Sequence, residues 1–298
     1  MIIRRQEDVT AAVLAAFEKA PDPRLREILQ SLVRHLHGFA REVRLTEEEF
    51  QQACNFVMRT GQQCTPAHNE VVLMAGSLGL SALVCLLNNG NKGQTETAAN
   101  MLGPFWRLNA PRTENGGSLV RSPTPGPALF VHARILDAEG QPVAGAEVDV
   151  WHSSPEGFYE NQDESQADMN LRGKLTSDGD GRFWFRTVKP AGYPIPVDGP
   201  VGELVRAVRR PHNMRPAHLH FLIFKPGFKT LISQVYSNDD SYLETDVQFG
   251  VTQTLIGNFI RHDEGGAPAG DVTGPWYSLD YAFVMEAGEA RLPRAPIQ

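Results

Sequence analysis

The stretch "HLHFLIF", His218 to Phe224, decides the fold of this chain. Read with the two-residue period of a strand, His218, His220, Leu222 and Phe224 share one face, and Leu219, Phe221 and Ile223 share the other. Similar short runs surround it: "ALFVHARILD" from Ala128, "GAEVDVWHS" from Gly145, "GRFWFRTV" from Gly181 and "YSLDYAFVM" from Tyr277. Turn chemistry such as "DAEGQPVAG" and "SDGDGR" separates them. This pattern predicts an antiparallel β-sandwich, entered through the Pro-rich connector "RSPTPGPAL".

Upstream the period changes to that of a helix. In "RLREILQSLVRHLHGF", Leu25, Ile28, Leu29, Leu32, Val33, Leu36 and Phe39 form a stripe expected to be buried. A second helix opens at "TEEEF", with Thr46 and Glu49 as a capping box and Phe50, Ala53, Cys54, Val57 and Met58 as its inner face, and Gly61 should end it. A third helix, from Thr65 and Pro66 to Asn88–Gly90, is apolar on most sides and should be buried all round. The fold class is therefore mixed α and β, with residues 1–100 forming a helical N-terminal domain and residues 101–298 a β-sandwich domain.

Charge and composition narrow the function. The net charge of -7 offers no basic surface for nucleic acid. Cys54, Cys64 and Cys85 form no C-x-x-C pair, so neither a disulfide framework nor a thiolate metal site is implied. No apolar run reaches the roughly 18 residues of a membrane span, and a cytoplasmic location is expected.

Two imidazoles on one strand face can share a metal, and they can equally be satisfied by backbone carbonyls. A cupin would place a glutamate where Phe224 and Lys225 stand, and a metallo-β-lactamase would have aspartate at Leu222. The further donors must come from elsewhere. Tyr159, in "WHSSPEGFYENQD", and Tyr193, in "VKPAGYPIPVDGP", are the candidates.

The order "DVWHSSPEGFYENQD", "GRFWFRTVKPAGYPIP", "RPAHLHFLI", with "MLGPFW" at Met101 to Trp106 between the two halves, resembles the intradiol catechol dioxygenases. The resemblance implies one Fe(III) per chain held by Tyr159, Tyr193, His218 and His220, with Tyr193 the axial phenolate that leaves. Arg215 would stabilise charge developing on the ring, and Gln234 would lie near the oxygen species. Phenols titrate near ~10, so two phenolates at neutral pH need a hard trivalent cation. Fe³⁺, two phenolates, two neutral imidazoles and one hydroxide sum to zero charge, which makes a site inside the sandwich tolerable.

Within that family "GYPIPVDGPVG" is similar to the hydroxyquinol 1,2-dioxygenase branch. The branch implies a pocket walled by Ile195 and Pro196 on one side and by Leu73, Gly76, Leu102, Gly103, Pro104 and Phe105 on the other. Gly76 stands where an acidic residue is expected, so extra volume should open there, and catechol or chlorocatechol remains an alternative substrate. The resemblance also implies an aromatic diol and O₂ as partners. Amphipathic stripes beyond what one bundle buries suggest a homodimer through the N-terminal helices, where the resemblance adds a phospholipid. A prealbumin-like binding module and a zinc hydrolase are the readings from other classes. The remaining histidines, among them His68, His152, His212 and His262, are read as structural or solvated.

Overall fold

A computed structural model describes residues 2–65, 68–88, 96–263 and 266–296. The expected helix start at Pro66 and turn at Asn89 and Gly90 lie outside these. The chain divides into two compact units, Met1–Arg59 and Thr60–Gln298. The expected boundary at residue 100 lies between the N-terminal helices and the first strand, whereas the division between units falls within the last turn of the helix that opens at "TEEEF".

The first unit holds α1 (Gln6–Phe17), α2 (Pro23–Glu42) and most of α3 (Glu47–Gln62). Asp22 caps α2 by accepting from the amides of Arg24 and Leu25. The Thr46/Glu49 box at α3 forms in both directions, at 3.2 and 2.9 Å. Gly61 sits inside the last turn of α3 and does not end it. The apolar stripe of α2 is a correction to expectation: Val33 alone is buried, and Leu25, Ile28, Leu32, Leu36 and Phe39 are about half exposed. Phe50, Val57 and Met58 of α3 are exposed too. Periodicity identified the faces but not what covers them.

In the second unit the third expected helix is broken into α4 (Glu70–Ser77) and α5 (Leu80–Asn88), bent by 79° at Leu78 and Gly79. Gly79 has φ +72°, a conformation that ends α4. Neither half is buried all round: Val71, Val72, Leu83, Val84 and Leu87 are exposed. No single helix among the described residues is long and apolar enough to cross a membrane.

The strands are β1 (Ala128–Asp137), β2 (Glu147–Trp151), β3 (Arg172–Thr176), β4 (Arg182–Val188), β5 (Tyr193–Pro194), β6 (Met214–Arg215), β7 (His218–Phe224), β8 (Leu231–Ser237), β9 (Ile256–Gly257), β10 (Ile260–His262) and β11 (Trp276–Met285), with α6 (Pro200–Ala207) between β5 and β6. One sheet runs β10-β11-β1-β4, and the other runs β3-β2-β7-β8-β9. Most pairings are antiparallel, while β1–β11 and β8–β9 are parallel. The core between the sheets is apolar, with Leu129 and Val131 of β1 and Phe283 of β11 meeting Val150, Leu219 and Phe221. The strand β7 therefore behaves as its alternation demands: Leu219, Phe221 and Ile223 turn inward, and His218, His220 and Leu222 turn out.

Candidate active site

One rung across the outer face of the five-stranded sheet carries the polar chemistry. Arg172 pairs with Trp151, Trp151 with His220, and His220 with Gln234. Their strand neighbours Val150, Leu219, Phe221 and Val235 lie in the core, so these four side chains face away from it. The site is thus outside the sandwich rather than inside it, and the covering segments make it dry. Trp106, Trp151, Tyr159, Tyr193 and Leu222 form a buried cluster there, with Leu102 and Phe105 packed against it.

Two loops deliver the tyrosines. Tyr159 follows β2 and opens a short turn at Glu160–Gln162, its amide donating to Gln162 Oε1 at 3.0 Å. Tyr193 lies on the β5–β6 ribbon directly opposite Arg215, and Pro216 and Ala217 alone separate that arginine from β7. Gly157, at φ +85°, lets the loops cross, because a Cβ there would sit 3.1 Å from the Gly192 carbonyl and 3.3 Å from Tyr193 Cβ.

The four expected donors come together. The Tyr159 and Tyr193 ring centroids are 5.6 Å apart, Tyr193 and His218 are 5.6 Å apart, and Tyr159 and His220 are 6.3 Å apart. The Nε2 atoms of His218 and His220 are separated by 3.1 Å. His218 Nδ1 lies 2.6 Å from the Pro216 carbonyl, which can only accept, so Nδ1 carries the proton and Nε2 presents a lone pair. Trp151 fixes His220 by stacking at 4.7 Å, 8° from parallel. Among the described residues the Tyr159 hydroxyl and His220 Nδ1 are buried with no hydrogen-bond partner. An unpaired buried hydroxyl costs about 1–3 kcal/mol, and a cation meeting this oxygen would remove that penalty.

Electrostatics agree with that donor set. Burial, then the Arg215 guanidinium, lowers His218 to about 3, and burial and His218 hold His220 well below its ordinary range. Both imidazoles are therefore neutral at pH 7, as a metal-binding imidazole has to be. Burial, with the Tyr193 phenol beside it, pushes Tyr159 well above the ordinary phenol value. Tyr159 is therefore an anion here only if a stronger cation meets its oxygen. Among the described residues no cluster of three or more His, Cys, Asp or Glu side chains could hold a metal, so a metal at His218 and His220 would take its further donors from the two phenols. Neutral nitrogen and phenolate oxygen together suit a hard trivalent ion such as Fe³⁺.

Arg215 is buried and held on several sides. It contacts Asp246 at 3.2 Å through Nε and donates to Gln234 Oε1 at 3.0 Å and to the Tyr236 hydroxyl at 2.8 Å. Burial alone would lower its pKa, but Asp246 holds it well above the ordinary value, so it is a fixed cation. Gln234 donates its Nε2 to the Met101 carbonyl and accepts from Arg215 and Tyr236, which makes it an orienter of Arg215. Asp246 and Tyr236 carried no sequence signal, lying in an irregular loop and at a strand position that alternation alone cannot distinguish.

The expected pocket wall is partly assembled. Ile195 and Leu73 share an apolar cluster with Met74, Val201, Val205 and Val247. Gly103, at φ +76°, approaches His220 so closely that a Cβ would lie 3.2 Å from its Cε1. Phe105 stacks on Tyr159 at 4.4 Å. Pro104 and Pro196 are exposed. Gly76 opens no extra volume, because a Cβ built there would overlap the Gln248 carboxamide, which fills the space and donates to Ser77 Oγ at 2.8 Å.

Comparison with known proteins accords with this geometry. A family model described as "Dioxygenase" matches residues 101–286, and one described as "Catechol dioxygenase N terminus" matches residues 22–96. The 6-chlorohydroxyquinol 1,2-dioxygenase of Cupriavidus pinatubonensis is 42% identical over 94% of this chain and 97% of its own. The hydroxyquinol 1,2-dioxygenase of a Rhizobium species is 40% identical over 94% and 95%. The crystal structure of hydroxyquinol 1,2-dioxygenase from Pseudomonas putida superposes with a TM-score of 0.86, at 39% identity over 95% of this chain and 99% of that one. Neither a binding module nor a zinc hydrolase survives these matches: the chain belongs to the intradiol ring-cleavage dioxygenase family of oxidoreductases.

Proposed function

We propose that this enzyme cleaves hydroxyquinol between its adjacent hydroxylated carbons with O₂, giving maleylacetate, through one Fe(III) held by Tyr159, Tyr193, His218 and His220. The observation that carries this reading is the convergence of two phenols and two neutral imidazoles in one buried cluster, with the Tyr159 hydroxyl unpaired. When bound, the ferric ion supplies the charge that keeps the phenols ionised and draws electron density from a chelated diol.

The protein's own groups do the rest. Tyr193, 8% exposed against 1% for Tyr159, is the phenol an incoming diol can reach, and its oxygen is the base that takes a diol proton. Arg215, locked by Asp246 and Gln234, holds positive charge close to the ring opposite Tyr193 on the β5–β6 ribbon. The cluster of Trp106, Trp151 and Leu222 excludes water, which strengthens each of these charges.

The names of the relatives at 42%, 40% and 39% identity support hydroxyquinol over catechol. The neutral carboxamide of Gln248 beside Gly76 keeps catechol and chlorocatechol as the second reading. Oxygen uptake by the iron-loaded protein against hydroxyquinol, catechol and 4-chlorocatechol, with product identification, tests both. Uptake with none of them would overturn the assignment. The half-exposed stripe of α2 supports a homodimer through the N-terminal helices, with phospholipid at that interface, and three unbridged cysteines suit a cytoplasmic enzyme.

A further inference from the structure

A second buried charge cluster stands behind Tyr159 and has no part in the proposed chemistry so far. Arg172 is 1% exposed, and its Nε donates to Glu160 Oε1 at 2.7 Å. Arg107 donates to the same carboxylate oxygen at 2.9 Å. Its other partner, Asp168, has a side chain 77% exposed and is screened by solvent. Arg172 and Arg107 thus share one buried carboxylate, and because Arg107 is also answered by Asp168, Arg172 is left as the fully buried cation of the group with Glu160 as its one carboxylate partner among the described residues.

Arg172 has a further neighbour in Tyr159. Its guanidinium carbon lies 5.9 Å from the centroid of the Tyr159 ring, within reach of a cation–π contact that becomes stronger when the ring is a phenolate. Arg172 also donates to the Phe105 carbonyl, and Phe105 stacks on Tyr159. One side chain therefore fixes the segment that carries Tyr159, fixes the aromatic ring laid against it, and supplies charge beside it.

We infer that Arg172 is a positioning residue that stabilises Tyr159 as a phenolate, with Glu160 setting how much of its charge the ring experiences. This rests on the ferric site proposed above. A cation near the ring lowers the energy of the phenolate donor electrons, so it raises the energy of tyrosinate-to-iron charge transfer. A purely structural clamp would have no such effect of defined sign.

The test is the visible absorption of the ferric-loaded protein, with iron affinity by chelator competition. Arg172→Gln should move the charge-transfer band to longer wavelength and weaken iron binding by roughly tenfold, as loss of an outer-shell contact does. Glu160→Gln should move it to shorter wavelength, and Arg172→Lys should keep it near the unsubstituted position. If Arg172→Gln does not fold, Glu160→Gln and Arg172→Lys decide alone. Unmoved bands, or bands that move the same way when either charge is removed, would overturn the inference. A protein that takes up ferric iron without any tyrosinate band would instead overturn the ferric site beneath it.

Discussion

Nε2 of His218 stands 3.1 Å from Nε2 of His220, on successive outward positions of one strand. With His218 Nδ1 committed to the Pro216 carbonyl, either His220 donates a proton across this gap or two lone pairs converge on a shared cation. The two cases separate on substitution. His220→Ala should abolish the coloured ferric complex and lower hydroxyquinol turnover by on the order of 10³, about 4 kcal/mol in the barrier. Retained colour and turnover would mean that the histidines bond only to each other.

Among the described residues Asp246 is the one carboxylate paired with Arg215, and both are buried. Asp246→Asn keeps the shape but strands a guanidinium, so the protein should lose about 3 kcal/mol of stability, measured by denaturant unfolding. Turnover should fall by about 100-fold, because the cation is no longer held in place. Tyr236→Phe removes one acceptor and leaves the ion pair, and its effect should be several-fold smaller.

Buried histidines also set a pH dependence. His152, bonded to the Ser153 carbonyl and Thr187, is lowered by burial to about 4, and His218 to about 3. The unfolded chain binds a proton near ~6.5 that the folded chain refuses. Stability of the iron-free protein should therefore be flat above pH ~6.5 and fall as pH drops towards 4, by roughly 1 kcal/mol per pH unit for each histidine. Thermal melts across that range check the sign, and a melting temperature that rises on acidification would contradict it. Ferric loading should steepen the slope, since ligated imidazoles and phenolates hold no proton in the folded state and all take one up when the chain unfolds and the metal leaves.

What could be read in the sequence was whatever repeats with a period or recurs as a motif. The run from Ala128 to Asp137 and that from His218 to Phe224 are strands with those ends. Tyr159 and Tyr193 were found by resemblance, since no spacing rule links two loops to one strand. Asp246 and Gln248 escaped because "DVQFG" has neither helix nor strand period. Arg172 becomes visible only once register places it on the rung of His220. The break at Gly79 was hidden because a glycine among leucines is as readily tolerated inside a helix as used to end it.

Gly76 and Gln248 put helix propensity and packing in opposition. Gly76 lies in α4, where an alanine would ordinarily gain up to ~1 kcal/mol from reduced backbone entropy. The added Cβ would overlap the Gln248 carboxamide, whose amide nitrogen is committed to Ser77 and whose backbone N–H donates to Asp246 Oδ1 at 3.2 Å. The side chain has little freedom to retreat, so Gly76→Ala should destabilise by about 1–3 kcal/mol, as overpacking does. Gln248→Ala removes the obstacle, and the double variant should recover at least ~1 kcal/mol relative to the sum of the single changes. Because Gln248 touches Asp246, and Asp246 holds Arg215, the Gly76→Ala strain should also lower turnover of hydroxyquinol, and the double variant should restore part of it. Additive unfolding energies in this cycle would show that the carboxamide simply swings aside, and the space beside Gly76 would then be free for a substituted ring.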